Sequence, residues 1–472
     1  MIPAFDLALP VRVHIIAIGG AAMSAIATIL HQCGHQVSGS DQADSAAMRA
    51  LRAEGVEVAV GHDAKHINGA AFVIYSAAIT SGNVELDAAR RQGIPCLSRG
   101  DAMEAICRTK RVLAVSGAHG KTTTSSMLAT LFVDAGESPS FLVGSTIARF
   151  GSGVRWTNDS DWFILEADES DGSFLRAHAE AVIVTNADPD HLDYWGTEDA
   201  LRDGYRAFLR GARVAVVCVE NDGSAELADS ASVDPEAELG AMHTYGWAPR
   251  GMWSIVDYQP ERLGSRFTVR EPDGSSTDLQ LSVSGDHNAL NATAAFVLAR
   301  RLGISATDGA NSLASFGGVA RRFEFRGAAR GVTFIDDYAH LPAEVLTNIV
   351  GATRAGWNRV VAVFQPHRYT RVRDVGVQFG SSFGTADVVI ITGLYAAGQS
   401  PIDGINGRTV FDAVVAARPN GEQYYCETRA ELVAVLIGIM QPGDLVLTMN
   451  AGDLTTLPTE LLASSWASGG SE

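Results

Sequence analysis

Lysine is nearly missing from this chain: among 472 residues only Lys65, Lys110 and Lys121 occur. Arginine carries most of the positive charge, and it does not balance the acids, so the formal net charge is −18. That balance excludes a nucleic-acid binder, which needs a basic face, but it leaves room for anionic small substrates at a local cationic site. Cysteine is also sparse. Cys33, Cys96, Cys107, Cys218 and Cys426 are scattered without paired spacing, which argues against a metal or disulfide framework and predicts free thiols in a reducing compartment. No apolar run approaches the length of a membrane span, and the N-terminus lacks the basic start and cleavage pattern of a signal peptide. The expectation is a cytoplasmic protein. Hydrophobic residues make up 46% and charged residues 19%, which suits a globular protein, and the length calls for more than one domain.

Short apolar runs alternate with amphipathic stretches, which predicts parallel sheets flanked by helices. In the first unit, Val13–Ile18 reads as a strand, Gly19-Gly20 as a turn and Met23–Cys33 as a helix. Gln36–Ser40 reads as a second strand ending in Asp41, and Phe72–Tyr75 as a later one. A boundary is expected near residue 108. The second unit holds strands at Val112–Val115, Trp162–Leu165, Ala181–Val184 and Val214–Val217, with a small antiparallel region at 222–282 and a helix at Asn288–Leu302. Residues 317–330, rich in Gly and Arg, read as a connector. The third unit carries strands at Val332–Ile335, Val360–Phe364, Val388–Ile391 and Leu445–Thr448, and the Ser/Gly-rich tail from Ala463 reads as frayed. The division is therefore 1–108, 109–320 and 321–472.

The chemistry starts at Ser116-Gly117-Ala118-His119-Gly120-Lys121-Thr122-Thr123-Thr124, a glycine turn between a β-branched strand and a helix. Backbone N–H groups and the helix N-terminus suit a phosphate, Lys121 adds a point charge, and Thr122 is placed to ligate Mg²⁺. The spacing departs from the general phosphate loop, because Val115 stands where its first glycine belongs. Glu166-Ala-Asp168-Glu169-Ser-Asp171 ends the next strand, where open sheets place ligands. Clustered carboxylates there suit a divalent cation or form a solvated acidic loop. His191, among Asp188, Asp190 and Asp193, is either a metal-site or a structural histidine. Asn288 and Asn291 lie three apart on a helix that Asp286 is expected to cap, and suit either an adenine edge or a capping role. Arg368, Arg371 and Arg373 follow a strand and read as a clamp for carboxylate or phosphate, or as a solvated basic turn. The first turn, Gly19-Gly20-Ala-Ala-Met23-Ser24 with Asp41 downstream, reads as a NAD site, a site for another nucleotide diphosphate, or plain α/β packing.

In this order, over nearly the whole chain, these motifs resemble the Mur ligase family, the ATP-dependent amide-forming enzymes of peptidoglycan synthesis. To them are added Arg321-Arg322-Phe323, Asp336-Asp337-Tyr338-Ala-His340, Gln365-Pro-His367-Arg368 and Ala451-Gly-Asp453. The resemblance implies three α/β domains: a Rossmann-like UDP-binding unit, a central P-loop ATPase-like unit and a C-terminal Rossmann-like unit. It implies that ATP activates the carboxylate of UDP-N-acetylmuramate as an acyl phosphate, which an amino-acid amine then captures. No lysine follows Lys121, so a carbamylated central lysine, used by many members, is excluded, which fits the alanine-adding branch with L-alanine as amine. Rival readings are a member adding a peptide or another amino acid, and a nucleotide-binding module without catalysis.

Carried across by resemblance, Gly117, Ala118, His119, Gly120, Lys121, Thr122, Thr123, Asn288, Asn291, Arg322 and Asp336 would bind ATP. Thr122, Glu166 and His191 would hold Mg²⁺. Tyr338, His340, Arg368 and Arg371 would orient alanine, and Gly19, Gly20, Met23, Ser24, Ser40, Asp41 and Ser76 would hold the UDP portion. Lys121, Glu166, His191, His340, Arg368 and Arg371 form the expected catalytic set. A monomer or weak homodimer is expected. Ala17, Ala22, Ala118, Leu341 and Asn450 stand where the family carries Gly, Gly, Thr, His and Gly.

Overall fold

The computed structural model describes residues 9–76, 78–79, 82–233 and 239–468. They form three sheets. The first contains β1 (Arg12–Ile16), β2 (Gln36–Asp41), β3 (Glu57–Val60), β4 (Phe72–Tyr75) and β5 (Cys96–Ser98), ordered β3-β2-β1-β4-β5 and parallel throughout. Strand order reverses beside β1, so the glycine turn after it lies at a switch point, where open α/β sheets take ligands.

The second sheet runs β15-β14-β13-β12-β11-β10-β6-β9-β7-β8. Its strands are β6 (Arg111–Ser116), β7 (Ser140–Ile147), β8 (Ser152–Arg155), β9 (Trp162–Glu166), β10 (Ala181–Val184), β11 (Val214–Cys218), β12 (Ala241–Trp247), β13 (Trp253–Glu261), β14 (Gly264–Arg270) and β15 (Ser276–Leu281). β6 sits between the parallel neighbours β9 and β10. Leu113 and Val115 pack toward Leu128 and Phe296, while Val112 and Ala114 pack toward Tyr205 and Phe208 on the other face. A strand covered on both faces reads as an unbroken apolar run rather than an alternating one. That is why Val112–Val115 is legible as a strand and why the loop after it is held rigidly.

The third sheet runs β16-β17-β21-β18-β19-β20, with β16 (Glu324–Ala329), β17 (Val332–Asp337), β18 (Arg359–Phe364), β19 (Val388–Thr392), β20 (Glu422–Cys426) and β21 (Asp444–Met449). Only β16 is antiparallel to its neighbour. Among the described residues no helix is long and apolar enough to cross a membrane.

Three expectations are corrected. Residues 222–282 are not all antiparallel: Asp222–Val233 is a helix and β12 extends the parallel sheet beside β11, so only β13–β15 form an antiparallel meander. The 317–330 connector contains β16, whose alternation is broken by a register shift between Phe325 and Gly327. The tail is ordered through the described residues, because Trp466 packs edge-on against buried Phe334; residues 469–472 lie outside them.

Candidate active site

Two glycines shape the loop after β6. Gly117 has φ 134°, and a Cβ there would collide with Thr185 Oγ1 and the Asn186 backbone. Gly120, at φ 85°, caps the helix Lys121–Asp134, and a Cβ there would run into Asn291 Oδ1. The segment after β10 pins this loop from the side: His119 O accepts from Thr185 Oγ1 at 2.5 Å and Asn186 Nδ2 at 2.8 Å, and His119 N donates to Asn186 Oδ1 at 3.1 Å. The first helical turn has no acidic residue of its own, so its N–H groups present positive potential toward the loop. Lys121 Nζ lies 2.7 Å from Gly117 O and 2.9 Å from Glu169 Oε1.

Carboxylates gather opposite. Thr122 Oγ1 donates to Glu166 Oε1 at 2.9 Å, and Gly144 N donates to the other Glu166 oxygen. His191, left-handed at φ 53°, offers a ring nitrogen within 4.8 Å of donor oxygens of Asp168 and Glu169. The expected metal set is thus divided: Thr122 pairs with Glu166, whereas His191 groups with Asp168 and Glu169. Asp171, read as part of the same cluster, instead binds Arg99 of the first unit. Glu169 is 1% exposed, and burial raises its carboxyl above the ordinary value despite the Lys121 charge beside it.

The third unit faces this loop. Glu344, near the start of the helix Pro342–Arg354, accepts from the backbone N–H of His340 and Leu341 at 2.9 and 3.1 Å and comes within 3.8 Å of His119. Arg321 and Arg322 both lie over the Tyr338 ring, at 4.8 and 5.4 Å from its centroid. Arg371 donates to His367 Nδ1 at 2.8 Å, and His367 stacks on Tyr395 with 7° between the rings. Burial, then the Arg371 and Arg368 charges, push His367 down to about 4, so it is neutral at pH 7 and can accept that hydrogen bond. Burial also lowers His340, with Glu344 opposing it. His340 Nδ1 lies 2.8 Å from Tyr338 O, which assigns the proton to Nδ1 and leaves the lone pair on Nε2. Arg368 stands at φ 66°, an uncommon conformation for a non-glycine, at the head of the helix Tyr369–Val375.

A cleft of about 1450 Å³ gathers Ala118 to Thr123, Glu166, His191, Asn288, Asn291, Arg322, Tyr338, His340, Arg368 and Arg371. A second cavity of about 680 Å³ runs between the first and second units, bordered by Ala22, Ser24, Arg99, Gly144 and Arg176. Both are lined by Glu166 and Asp168, so the two cavities meet at those carboxylates.

Several expected contacts are not on these walls. Gly117 lies behind the loop, offering its carbonyl to Lys121. Asp336 is fully buried and accepts from Thr448, Asn450 and Thr455, which corrects its expected contact with adenosine. Met23 is 3% exposed and belongs to the core of the first unit; Ser40 is 0% exposed and turns inward. Direct contact of either side chain with UDP is corrected accordingly. Gly19 N donates to Asp41 Oδ2 at 2.9 Å, Gly20 is exposed, and Ser76 Oγ accepts from Ala78 N. Asp286 is not a cap: Gly285 holds that position, and Asp286 pairs with Arg354 of the third unit.

Sequence reasoning assigned no role to Glu344 or His367. Glu344 stands three residues after Leu341 at a Pro-led helix start, a spacing that signals a helix N-terminus. His367 lies in the Gln365-Pro-His367-Arg368 motif that carries the resemblance, without a part of its own there. Two departures gain a physical reading. Ala17 adopts φ 64°, costing an alanine roughly 1–2 kcal/mol that glycine would not incur. Asn450 earns its place through its side chain, which accepts from Arg321 and donates to Asp336, both at 3.0 Å.

Residues 12–111 match the Mur ligase family, catalytic domain; 115–299 the Mur ligase middle domain; and 321–452 the Mur ligase, glutamate ligase domain. The UDP-N-acetylmuramate–L-alanine ligase of Brucella anthropi is 40% identical over 462 residues, covering 95% of this chain and 97% of its own. That of Bradyrhizobium diazoefficiens is 39% identical over 464 residues, covering 96% and 98%. Among solved structures, UDP-N-acetylmuramate–alanine ligase from Thermotoga maritima superposes with a TM-score of 0.79 at 26% identity, covering 96% and 98% of the two chains. Three sheets in the expected order, three matched segments and relatives similar from end to end agree: the chain belongs to the Mur ligase family.

Proposed function

We propose that this chain joins L-alanine to the carboxylate of UDP-N-acetylmuramate, with ATP converted to ADP and phosphate, in the making of peptidoglycan precursors. The observation that carries the reading is the meeting of the two cavities at Glu166 and Asp168. One cavity borders Ala21, Ala22 and Ser24, at the start of the helix that follows the first unit's glycine turn, and is the place for the sugar-nucleotide substrate. The other extends from the phosphate loop to the arginines of the third unit. A carboxylate at the junction lies within reach of both a terminal phosphate and an amine. The full-length likeness to alanine ligases supports alanine as that amine.

The residues divide the work along the three units 1–108, 109–320 and 321–472. Lys121 and the loop N–H groups hold the phosphates, Asn288, Asn291 and Arg322 border the nucleoside side, and charge stabilisation does the work that a covalent residue does elsewhere. The Thr122–Glu166 pair and the Asp168, Glu169, His191 group are rich in oxygen donors and fit Mg²⁺. When bound, Mg²⁺ would supply charge neutralisation at the phosphate oxygens. Arg368 and Arg371 take the alanine carboxylate, with neutral His367 keeping the Arg371 fork in place. His340 Nε2 presents its lone pair to the incoming amine.

The test is phosphate release by the purified chain with ATP, Mg²⁺ and UDP-N-acetylmuramate, with and without L-alanine. Release that depends on alanine is expected. Release that ignores the acceptor, or that requires a tripeptide in place of alanine, would sink the proposal.

A further inference from the structure

The first unit contains a buried carboxylate with no part in the chemistry above. Glu85, near the start of the helix Val84–Arg91, is 0% exposed. Its Oε2 accepts from Ser40 Oγ at 2.5 Å and lies 3.1 Å from His62 Nδ1. Its Oε1 accepts from Asp63 N at 3.2 Å and lies 2.7 Å from His66 Nδ1. His14 Nε2, 1% exposed and without a hydrogen-bond partner, points at the same carboxylate from 3.6 Å. The nitrogens surround a carboxylate and make no cage for an ion: the only group of mutually close ligand atoms among the described residues is Asp168, Glu169 and His191.

Three segments converge on this one side chain: β1 through His14, the end of β2 through Ser40, and the loop after β3 through His62, Asp63 and His66, all drawn to the helix that carries Glu85. These segments also build the mouth of the nucleotide-sugar turn. Asp41, next to Ser40, accepts from Gly19 N, and its carbonyl accepts from Gly61 N at 2.7 Å. Ser45 Oγ donates to Gly19 O at 3.3 Å. The turn has no slack, since a Cβ on Gly39 would strike Ile18 and the Ile15 carbonyl. A shift at the end of β2 is therefore passed directly to Asp41 and Gly19.

We infer that Glu85 is a positioning residue for the nucleotide-sugar site, acting through Ser40 to hold Asp41 and the glycine turn in their binding arrangement. This rests on the ligase reading, because that reading assigns the turn to UDP. It also gives Ser40, which cannot touch a ligand, its role in that site. Glutamine at position 85 keeps the shape but replaces one oxygen with an NH₂ facing groups that already donate. Alanine at position 40 removes a single hydroxyl and leaves the rest of the cluster.

The full chain and its Ser40→Ala and Glu85→Gln variants are titrated calorimetrically with UDP-N-acetylmuramate and, separately, with ADP, and their melting temperatures are recorded. Both variants are expected to weaken UDP-N-acetylmuramate by at least about tenfold, the scale of one charge-assisted hydrogen bond, with ADP affinity unchanged. A purely structural role would lower both affinities together, or only the melting temperature, and either result overturns the inference; so does unaltered sugar-nucleotide affinity. Should Glu85→Gln fail to fold, Ser40→Ala alone decides. Failure of the unaltered chain to bind UDP-N-acetylmuramate would instead overturn the ligase reading.

Discussion

Glu85 and Glu169 are both shut away from solvent, at 0% and 1% exposure, yet their surroundings drive them in opposite directions. Burial alone raises Glu85, but His14 facing it at 3.6 Å and hydrogen bonds from Ser40 and His66 outweigh burial and hold the group down to about 2. At Glu169 burial also acts first, and Lys121, with neighbouring Asp168 opposing it, does not bring the carboxyl back to its ordinary value. The first carboxylate has donors on every side and holds three strands and loops together. The second has one principal cation, and that cation is the lysine proposed to hold the phosphates. A buried charge whose partners are complete holds a binding turn in shape without meeting a ligand, while one whose partner has a second task sits in the reacting site itself.

The sharpest way to break this contrast is to remove the shared cation. Lys121→Ala is expected to cut alanine-dependent phosphate release by about a thousandfold or more, with a far-ultraviolet spectrum like that of the parent. Near-normal turnover would show that Lys121 serves only to neutralise Glu169. On the other side of the comparison, Glu85→Ala leaves Ser40, Asp63 N–H and the histidines facing an uncompensated hole. Urea unfolding of the first transition is expected to show a loss of roughly 3–5 kcal/mol, the cost of breaking a buried pair. A loss indistinguishable from zero would mean that the cluster is not holding the first unit together.

A milder effect is expected in the third unit. Arg371→Ala should raise the KM for alanine roughly 10- to 100-fold, the worth of a charged hydrogen bond, with the KM for ATP unaffected in the same assay. Equal rises in both would place Arg371 on the nucleotide instead.

How much of this was legible in the sequence differs between the two carboxylates. The Glu169 neighbourhood could be read, because phosphate chemistry needs local glycine spacing, a lysine and strand-end acids, and these leave contiguous marks at 116–124 and 166–171. Its internal pairing could not, and so Asp171 was grouped with the acids although it crosses to Arg99. The Glu85 cluster left no mark at all. His14, Ser40, His62, His66 and Glu85 come from four segments scattered between positions 14 and 85, and each alone looks like an ordinary surface residue. Ser40 was read as a ligand contact through the resemblance, whereas β2 is buried from Val37 to Ser40 and the Ser40 hydroxyl is taken by Glu85. The fold itself was readable wherever both faces of a strand are covered, as in β6 and β10. It was misread at β12 and β16, where polar residues and glycine interrupt the runs.

The smallest effect separates the two carboxylates by sign. For Glu85 the unfolded chain takes up its proton near the ordinary value of 4.5 while the folded chain resists until about 2. Its stabilisation is thus present above 4.5 and lost as pH falls toward 2. For Glu169 the folded chain holds its proton longer than the unfolded one, so stability declines as pH rises from the ordinary carboxylate value through the raised one. Denaturant unfolding of Glu169→Gln across the acid range should therefore show the variant gaining on the parent as pH rises through that window. With Lys121→Ala as background the window should move to higher pH, because the charge that lowers Glu169 is gone. A Glu169→Gln difference that is flat with pH, or that shrinks as pH rises, would mean that Lys121 fully compensates Glu169 and that the two carboxylates are of one kind.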